Sequence, residues 1–315
     1  MKIGIDTMGG DFAPFEAIKG AKNFLNSASS DVHIVLIGDE DKIKSIVEQE
    51  GIDKTQYTIF HAPETIGMHE HPTKALKEKP KSTINVGFQL LQRKKIHAFI
   101  SAGNTGAMMV GMHYTIKTIE GIQRPTIFSV LPRMNTSTPG LLMDVGINAD
   151  CKPENLLQFG ILGSLFSKSI LQNSHPPKVA LLNIGEEEGK GNKLAQAAYP
   201  LLKENDKINF IGNIEGRDIF TDKADVIVCD GFTGNIVLKL SESFYDITQK
   251  LSIKDDYIDL FNFEDYGGTP VLGASEPVIV GHGISKANAF SNMIESAETI
   301  IRSRLLDTIR DNFSK

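Results

Sequence analysis

Short runs of aliphatic and β-branched residues alternate with helix-length amphipathic segments along most of this chain, and that alternation limits the fold more than any other feature. The strand candidates are Lys2–Ile5, His33–Ile37, Tyr57–His61, Ala98–Ser101, Thr126–Leu131, Gly140–Val145, Lys178–Asn183, Ile208–Gly212, Ala224–Val228 and Val278–Val280. Many carry Ile, Val and Leu on both faces, as strands buried in a parallel sheet do. Between them lie helical segments such as Glu16–Asn26, Asp41–Gln49, Ser82–Arg93 and Pro153–Gln172. In the last, Leu156, Phe159, Leu162 and Phe166 share one face, and Pro153 is placed to open the helix. The pattern predicts an α/β protein, a doubly wound three-layer α/β/α sandwich of Rossmann-like type, as a single domain over 1–315. Two segments leave the alternation: 241–266 as a protruding helical segment, and 285–311 as a long closing helix. No internal repeat of fixed period is found.

Charge and cysteine content narrow the function classes. The 33 basic and 39 acidic side chains leave a formal charge of −6, which disfavours nucleic acid as a partner. Hydrophobic residues at 41% supply enough apolar mass for a sizeable core. Cys151 and Cys229 fit neither a disulfide framework nor a metal-ligand spacing, and two lone thiols suit a reducing compartment. With no signal-peptide pattern and no apolar run of the ~20 residues that span a bilayer, a cytoplasmic protein is expected, peripheral membrane contact staying open.

In open α/β sheets the ligand site lies beyond the carboxyl ends of the strands. Six candidate strands end there in polar glycine turns: Asp6–Asp11, Ser101–Ala107, Asp144–Asp150, Asn183–Asn192, Asn213–Asp218 and Asp230–Asn235. On one sheet edge they would form a cleft rich in backbone N–H groups, hydroxyls and amides, suited to phosphate or another small oxyanion. None matches the P-loop pattern, and no Gly-x-Gly-x-x-Gly follows the first strand, so a nucleotide cofactor is poorly supported. Lys190 and Arg217 lie inside two of the turns, where they could neutralise phosphate charge.

Taken together, Met8–Asp11, 101–107, Asp144–Pro153, Leu182–Asn192, Asn213–Asp218, Asp230–Asn235, Tyr266–Gly273 and Gly281–Gly283 closely resemble the bacterial phosphate acyltransferase family PlsX. That family makes acyl phosphate from acyl-acyl carrier protein and inorganic phosphate. The resemblance implies a fold like the phosphotransacetylases and isocitrate/isopropylmalate dehydrogenases, no cofactor, acyl carrier protein and phosphate as partners, and a homodimer. Two departures stand out. The segment before Tyr266 is shorter than the family's helical hairpin and carries Lys254, Asp255, Asp256 and Asp259, whose net acidity opposes docking on an anionic leaflet. Ile147 stands where the family's turn has Ala.

The implied reaction is attack of a phosphate oxygen on a thioester carbonyl. Such chemistry needs positioning and oxyanion donors more than a strong base. Ser101, Gly103, Asn104 and Thr105 are expected to bind phosphate at a helix N-terminus. Lys190 would offset negative charge; Asn183, Asn192, Thr233 and Asn235 would donate hydrogen bonds; His282 would protonate the leaving thiolate or polarise the carbonyl. Asp11, Asn148, Asn213, Glu215, Asp230, Gly231 and Gly234 complete the substrate-binding set. A covalent route through Cys229 ranks below direct attack. Asp6, Asp11, Asp144, Asp150 and Asp230 read more simply as helix caps than as a metal cluster, and His69-Glu70-His71 as a loop surface, so no metal is expected. Lys74, Lys77, Lys79 and Lys81 are the basic stretch fitted to an acidic carrier, while Arg93–Lys95 reads as a cationic helix end. Rival readings are a short-chain phosphotransacetylase acting on acyl-coenzyme A, a decarboxylating dehydrogenase and a non-catalytic carrier-binding scaffold.

Overall fold

In the computed structural model the described residues are 1–27, 31–134, 136, 138–173 and 175–314, without the side chain of residue 263. The chain begins with β1 (Lys2–Asp6), α1 (Phe15–Ser27), β2 (His33–Gly38), α2 (Glu40–Glu50), β3 (Tyr57–His61), α3 (Pro72–Glu78), α4 (Thr83–Gln92), β4 (Ala98–Ser101) and α5 (Thr105–Thr115). It continues with β5 (Phe128–Leu131), β6 (Gly140–Met143), α6 (Pro153–Ser169), β7 (Lys178–Leu182), α7 (Lys193–Lys203), β8 (Asn209–Ile214), β9 (Val226–Val228), α8 (Gly231–Lys250) and α9 (Asp256–Asp259). It closes with α10 (Phe263–Tyr266), β10 (Gly268–Pro270), β11 (Val278–Gly281), α11 (Ala287–Ser303) and α12 (Leu305–Phe313). The alternation is that of an α/β sandwich.

Where the sequence reading expects one domain, the chain divides into two compact units, 1–118 with 263–306 and 119–262 with 307–315. The cause is strand pairing. Among the described residues one sheet runs β10-β11-β4-β1-β2-β3 and the other β5-β6-β9-β7-β8. Neighbours are parallel except at one edge of each, where β10 and β5 pair antiparallel. The six glycine turns therefore do not share one sheet edge. Those after β1 and β4 belong to the first unit, and the other four to the second.

In the first unit Ile3, Ile5, Ile34, Leu36, Phe99 and Ile100 are buried, and each such side chain stabilises by about 1.5–3 kcal/mol. Helix α1 packs against α11, and α4 against α5. The expected long closing helix is broken at Arg304, whose left-handed φ of 55° ends α11. In the second unit α6 starts at Pro153 as expected and buries Leu156, Phe159, Leu162 and Phe166. Segment 241–266 is not a separate excursion, since α8 already begins at Gly231. Phe244 of α8 and Phe261 meet Phe220 edge-on, at 6.1 and 5.2 Å between ring centroids.

At the amino ends of the second sheet, buried Arg133 is tied to Asp225 and Thr138. Its Nη1 lies 2.9 Å from Asp225 Oδ1, and its Nε donates to the Thr138 carbonyl at 2.8 Å. Asp225 also accepts the Lys178 backbone N–H at 2.7 Å. Truncating one member of a buried pair strands the other charge, so Arg133→Ala is expected to lose about 3–5 kcal/mol, read from the urea midpoint.

Candidate functional site

Both turn systems grow from an aspartate at a strand end. Asp6 is buried, and its carboxylate accepts Ser101 Oγ–H at 2.7 Å and the Met8 N–H at 3.0 Å. Burial pushes the Asp6 carboxyl up, against hydrogen bonds from Ser101, Thr83, Met8 and Gly9 that favour its charge. Ser101 Oγ in turn accepts the Gly103 N–H at 3.0 Å, which consumes both groups. Asn104 caps α5 through the Ala107 N–H at 2.9 Å. Its Nδ2 donates to the carbonyls of Gly67, Met68 and Glu70 at 3.0, 3.2 and 3.0 Å. Ser101, Gly103 and Asn104, expected as phosphate ligands, are thus spent on holding the turn and the 67–70 loop. Thr105 stands exposed on the first turn of α5. Exposed Asp11 links its turn to the one after β11 through a 2.7 Å bond from its N–H to the Gly283 carbonyl, beside half-buried His282.

In the second unit Asp144 is fully buried. Its carboxylate accepts the N–H groups of Gly146, Ile147 and Asn148 at 2.8, 3.0 and 3.1 Å, and the Asn148 side-chain amide as well. Burial again pushes the carboxyl up. Helix α8 is capped by Asp230, which accepts the Thr233 N–H and hydroxyl, each at 2.9 Å. Of the aspartates read as helix caps, Asp230 is one, whereas Asp6 and Asp144 organise turns. Gly234 is required where α8 passes the end of β6, because a Cβ there would fall onto the Asp144 carbonyl oxygen.

Strand β9 lies between β6 and β7, while β8 lies on the far side of β7, so the connectivity reverses between β7 and β9. Such a switch point opens a crevice at the carboxyl ends. A cleft of about 440 Å³ lies there. Asn183, Asn192, Asp230 and Thr233 supply its polar groups; Leu156, Leu181 and Cys229 supply its floor. Asn192 caps α7 by accepting the Ala195 N–H at 2.8 Å. Lys190 is exposed on the adjoining loop, with Nζ 3.9 Å from Glu187 Oε1.

The cleft lining thus gathers four of the expected residues and omits others. Asn148 is committed to Asp144 and to the Pro125 carbonyl at 2.8 Å; Asn235 donates to the Val145 carbonyl at 3.1 Å. Asn213 donates to the Glu187 carbonyl, Glu215 pairs with Arg217, and Gly231 donates to the Asn148 carbonyl at 2.7 Å. The apolar floor and Gln196, which holds the 184–191 loop, went unforeseen; the strand pattern marks Leu181 as core without saying that it faces a cleft. Burial, then the charges of Asp230 and Asp144, push the Cys229 thiol up; burial and Asp144 hold Cys151 at about 11. Among the described residues no three His, Cys, Asp or Glu side chains are grouped to hold a metal, and no helix is long and apolar enough to cross a membrane.

A family model described as "Fatty acid synthesis protein" matches residues 1–259. A phosphate acyltransferase of Dictyoglomus turgidum is 41% identical, spanning 100% of this chain and 98% of its own length. One from Acetivibrio thermocellus is 40% identical, over 99% and 96%. Among solved structures, a phosphotransacetylase from Streptococcus pyogenes superposes with a TM-score of 0.66 at 18% identity, over 98% of this chain and 94% of that one. The EutD phosphotransacetylase from Staphylococcus aureus gives 0.63 at 16% identity, over 95% and 94%. The two structures share the fold, and identity near 40% from end to end makes this chain a member of the phosphate acyltransferase family.

Proposed function

We propose that this protein moves a long-chain acyl group from acyl carrier protein to inorganic phosphate, giving acyl phosphate and the free carrier thiol, as an early step of bacterial phospholipid synthesis. The observation that carries this reading beyond family membership is the cleft between β7 and β9, with amide and hydroxyl groups over an apolar floor. A phosphate oxygen attacks the thioester carbonyl, the carbon–sulfur bond breaks, and the sulfur leaves with a proton. Near neutrality phosphate is partly a dianion, so the protein's task is to place it and to aim donors at the developing oxyanion. Asn183 and Asn192 are suited to that through their side-chain amides, Thr233 having given its hydroxyl proton to Asp230, and Lys190 to balancing charge. A thiol pushed upward, as that of Cys229 is, makes a poor nucleophile at neutral pH, which favours direct attack over an acyl-cysteine route.

An acidic carrier finds exposed Lys74, Lys77 and Lys81, whereas Lys79 is drawn into a 2.6 Å pair with Glu70. A homodimeric, cytoplasmic protein with peripheral membrane contact at most belongs to the same proposal. The exposed stripe Phe232, Ile236, Leu240 and Ile247 on α8, continued by its C-cap Leu251, offers apolar surface for a second copy. The fold shared with phosphotransacetylases keeps acyl-coenzyme A as the second reading for the donor.

Thiol release from long-chain acyl carrier protein, with and without phosphate, tests the activity. Release that needs phosphate and yields acyl phosphate is expected; turnover of an acyl-coenzyme A alone would overturn the choice of donor. Losing a charge-assisted contact, Lys190→Ala is expected to raise KM for phosphate about tenfold. An unchanged KM would remove Lys190 from the site. Cys229→Ala is expected to keep kcat within about threefold, and its collapse with the fold intact would restore the covalent route.

A further inference from the structure

We propose that the segment 184–191 is a strap forming one wall of the cleft, and that Asn213 is the positioning residue that sets it, acting through the Glu187 carbonyl and not by touching a ligand. This rests on the reading of the cleft as the phosphate site. The strap begins after Asn183 at the end of β7 and ends at Asn192, the cap of α7. Its ends, Ile184 and Gly191, line the cleft together with those two asparagines.

Amide side chains from three neighbouring elements hold its carbonyls. Asn183 Nδ2 donates to Lys190 O at 3.1 Å. Gln196 Nε2, on α7, donates to Gly189 O at 3.1 Å and to Gly191 O at 3.0 Å. Asn213 Nδ2, on the edge strand β8, donates to Glu187 O at 2.9 Å. Gly191 takes a φ of +96° to bring the chain back over Asn183, a conformation that disfavours any side chain. Two ion pairs also reach the strap, Lys223 to Glu186 and Lys203 to Glu188, each at 2.9 Å. Both are exposed and contribute little to its set.

Asn213 differs from the other anchors. It is 7% exposed, and it is absent from the cleft lining. It pairs in register with Leu181, so its side chain shares a sheet face with Leu181 and Asn183. Its Oδ1 is buried with no hydrogen-bond partner. An apolar side chain would fill this edge position without stranding an acceptor, so packing does not account for an amide here. The carbonyl it holds does. Glu187 stands midway along the strap and three residues before Lys190, whose N–H bonds to that same carbonyl at 3.1 Å. Asn213 thereby fixes the one-turn fold that ends at Lys190, the residue before cleft-lining Gly191.

The test uses the full chain with Asn213→Asp, which keeps the shape but sets an acceptor against the Glu187 carbonyl, and Asn213→Ala. Lys223→Ala serves as a surface control. Four quantities are measured: KM for phosphate, kcat with acyl carrier protein, the rate of trypsin nicking after Lys190, and the melting temperature. Loss of the buried donor is expected to raise KM for phosphate about tenfold with kcat within about threefold, and to speed nicking by a similar factor. Lys223→Ala is expected to leave KM, kcat and nicking unchanged and to lower only the melting temperature, because Lys223 also pairs with buried Asp218 at 2.9 Å. Unaltered KM and nicking in both Asn213 variants would overturn the proposal. So would a fall in kcat that tracks the melting temperature with KM unmoved, since that marks a purely structural residue. Should the native chain turn over no acyl carrier protein, the functional reading fails by itself, and the nicking rate of Asn213→Asp still decides the strap.

Discussion

The local architecture of each unit depends on a carboxylate taken out of water at a strand end and bonded to the backbone that follows it. Asp144 accepts three consecutive backbone N–H groups. Asp6 accepts the Met8 N–H and reaches across to Ser101 at the end of the neighbouring strand. A hydrogen bond to a charged group contributes about 1.5–3 kcal/mol, against a desolvation cost of several kcal/mol for the ion. The two are comparable, and burial prevails in both carboxyls, whose affinity for protons rises. These turns are therefore set by opposing electrostatic effects of similar size. A neutral or displaced group at either position would release the turn that the neighbouring strand ends and helix caps are built on.

Much of the polar inventory near these turns serves the backbone. Asn104, Asn192 and Asp230 cap α5, α7 and α8; Asn148 and Asn235 bind carbonyls around Asp144; Asn104 also clamps the 67–70 loop. A side chain whose donors and acceptors are already paired gains little by turning to a ligand. This separates residues that shape the turns from those that line open space. Asn192, Asp230 and Thr233 do both, which couples the helix starts of α7 and α8 to the cleft wall.

Local features were legible in the sequence because local physics makes them. The opening of α6 at Pro153 and the capping of α8 by Asp230 depend on residues three or four apart. The cationic end of α4 at Arg93 follows in the same way. Division into two sheets was not legible, because it depends on partners far apart in the chain: β1 pairs with β4, and β11 returns from beyond residue 262 to pair with β4 as well. Each strand reads as buried whichever sheet it joins. The same limit applies to the site. Ser101 and Asn104 have the residue types of a phosphate loop, and only the structure shows their groups consumed by Asp6 and by the 67–70 carbonyls.

The chemistry of the second-unit cleft follows from what its polarity allows. Backbone-anchored amides, a hydroxyl already donating to Asp230 and a thiol raised by burial supply no strong base and no ready thiolate. A site of this kind cannot generate a nucleophile at neutral pH; it can only place one that arrives already charged. Inorganic phosphate is such a nucleophile, and a thioester is an acceptor activated enough to need no metal or covalent relay. On that reading the protein's part is placement, and placement is the work of the cleft walls. One wall is strand and helix, rigid by packing. The other is the 184–191 strap, held by four amide-to-carbonyl bonds. On the reading proposed above, the set of that wall decides how tightly phosphate is held, which ties its binding to residues buried behind the cleft as well as to those that line it.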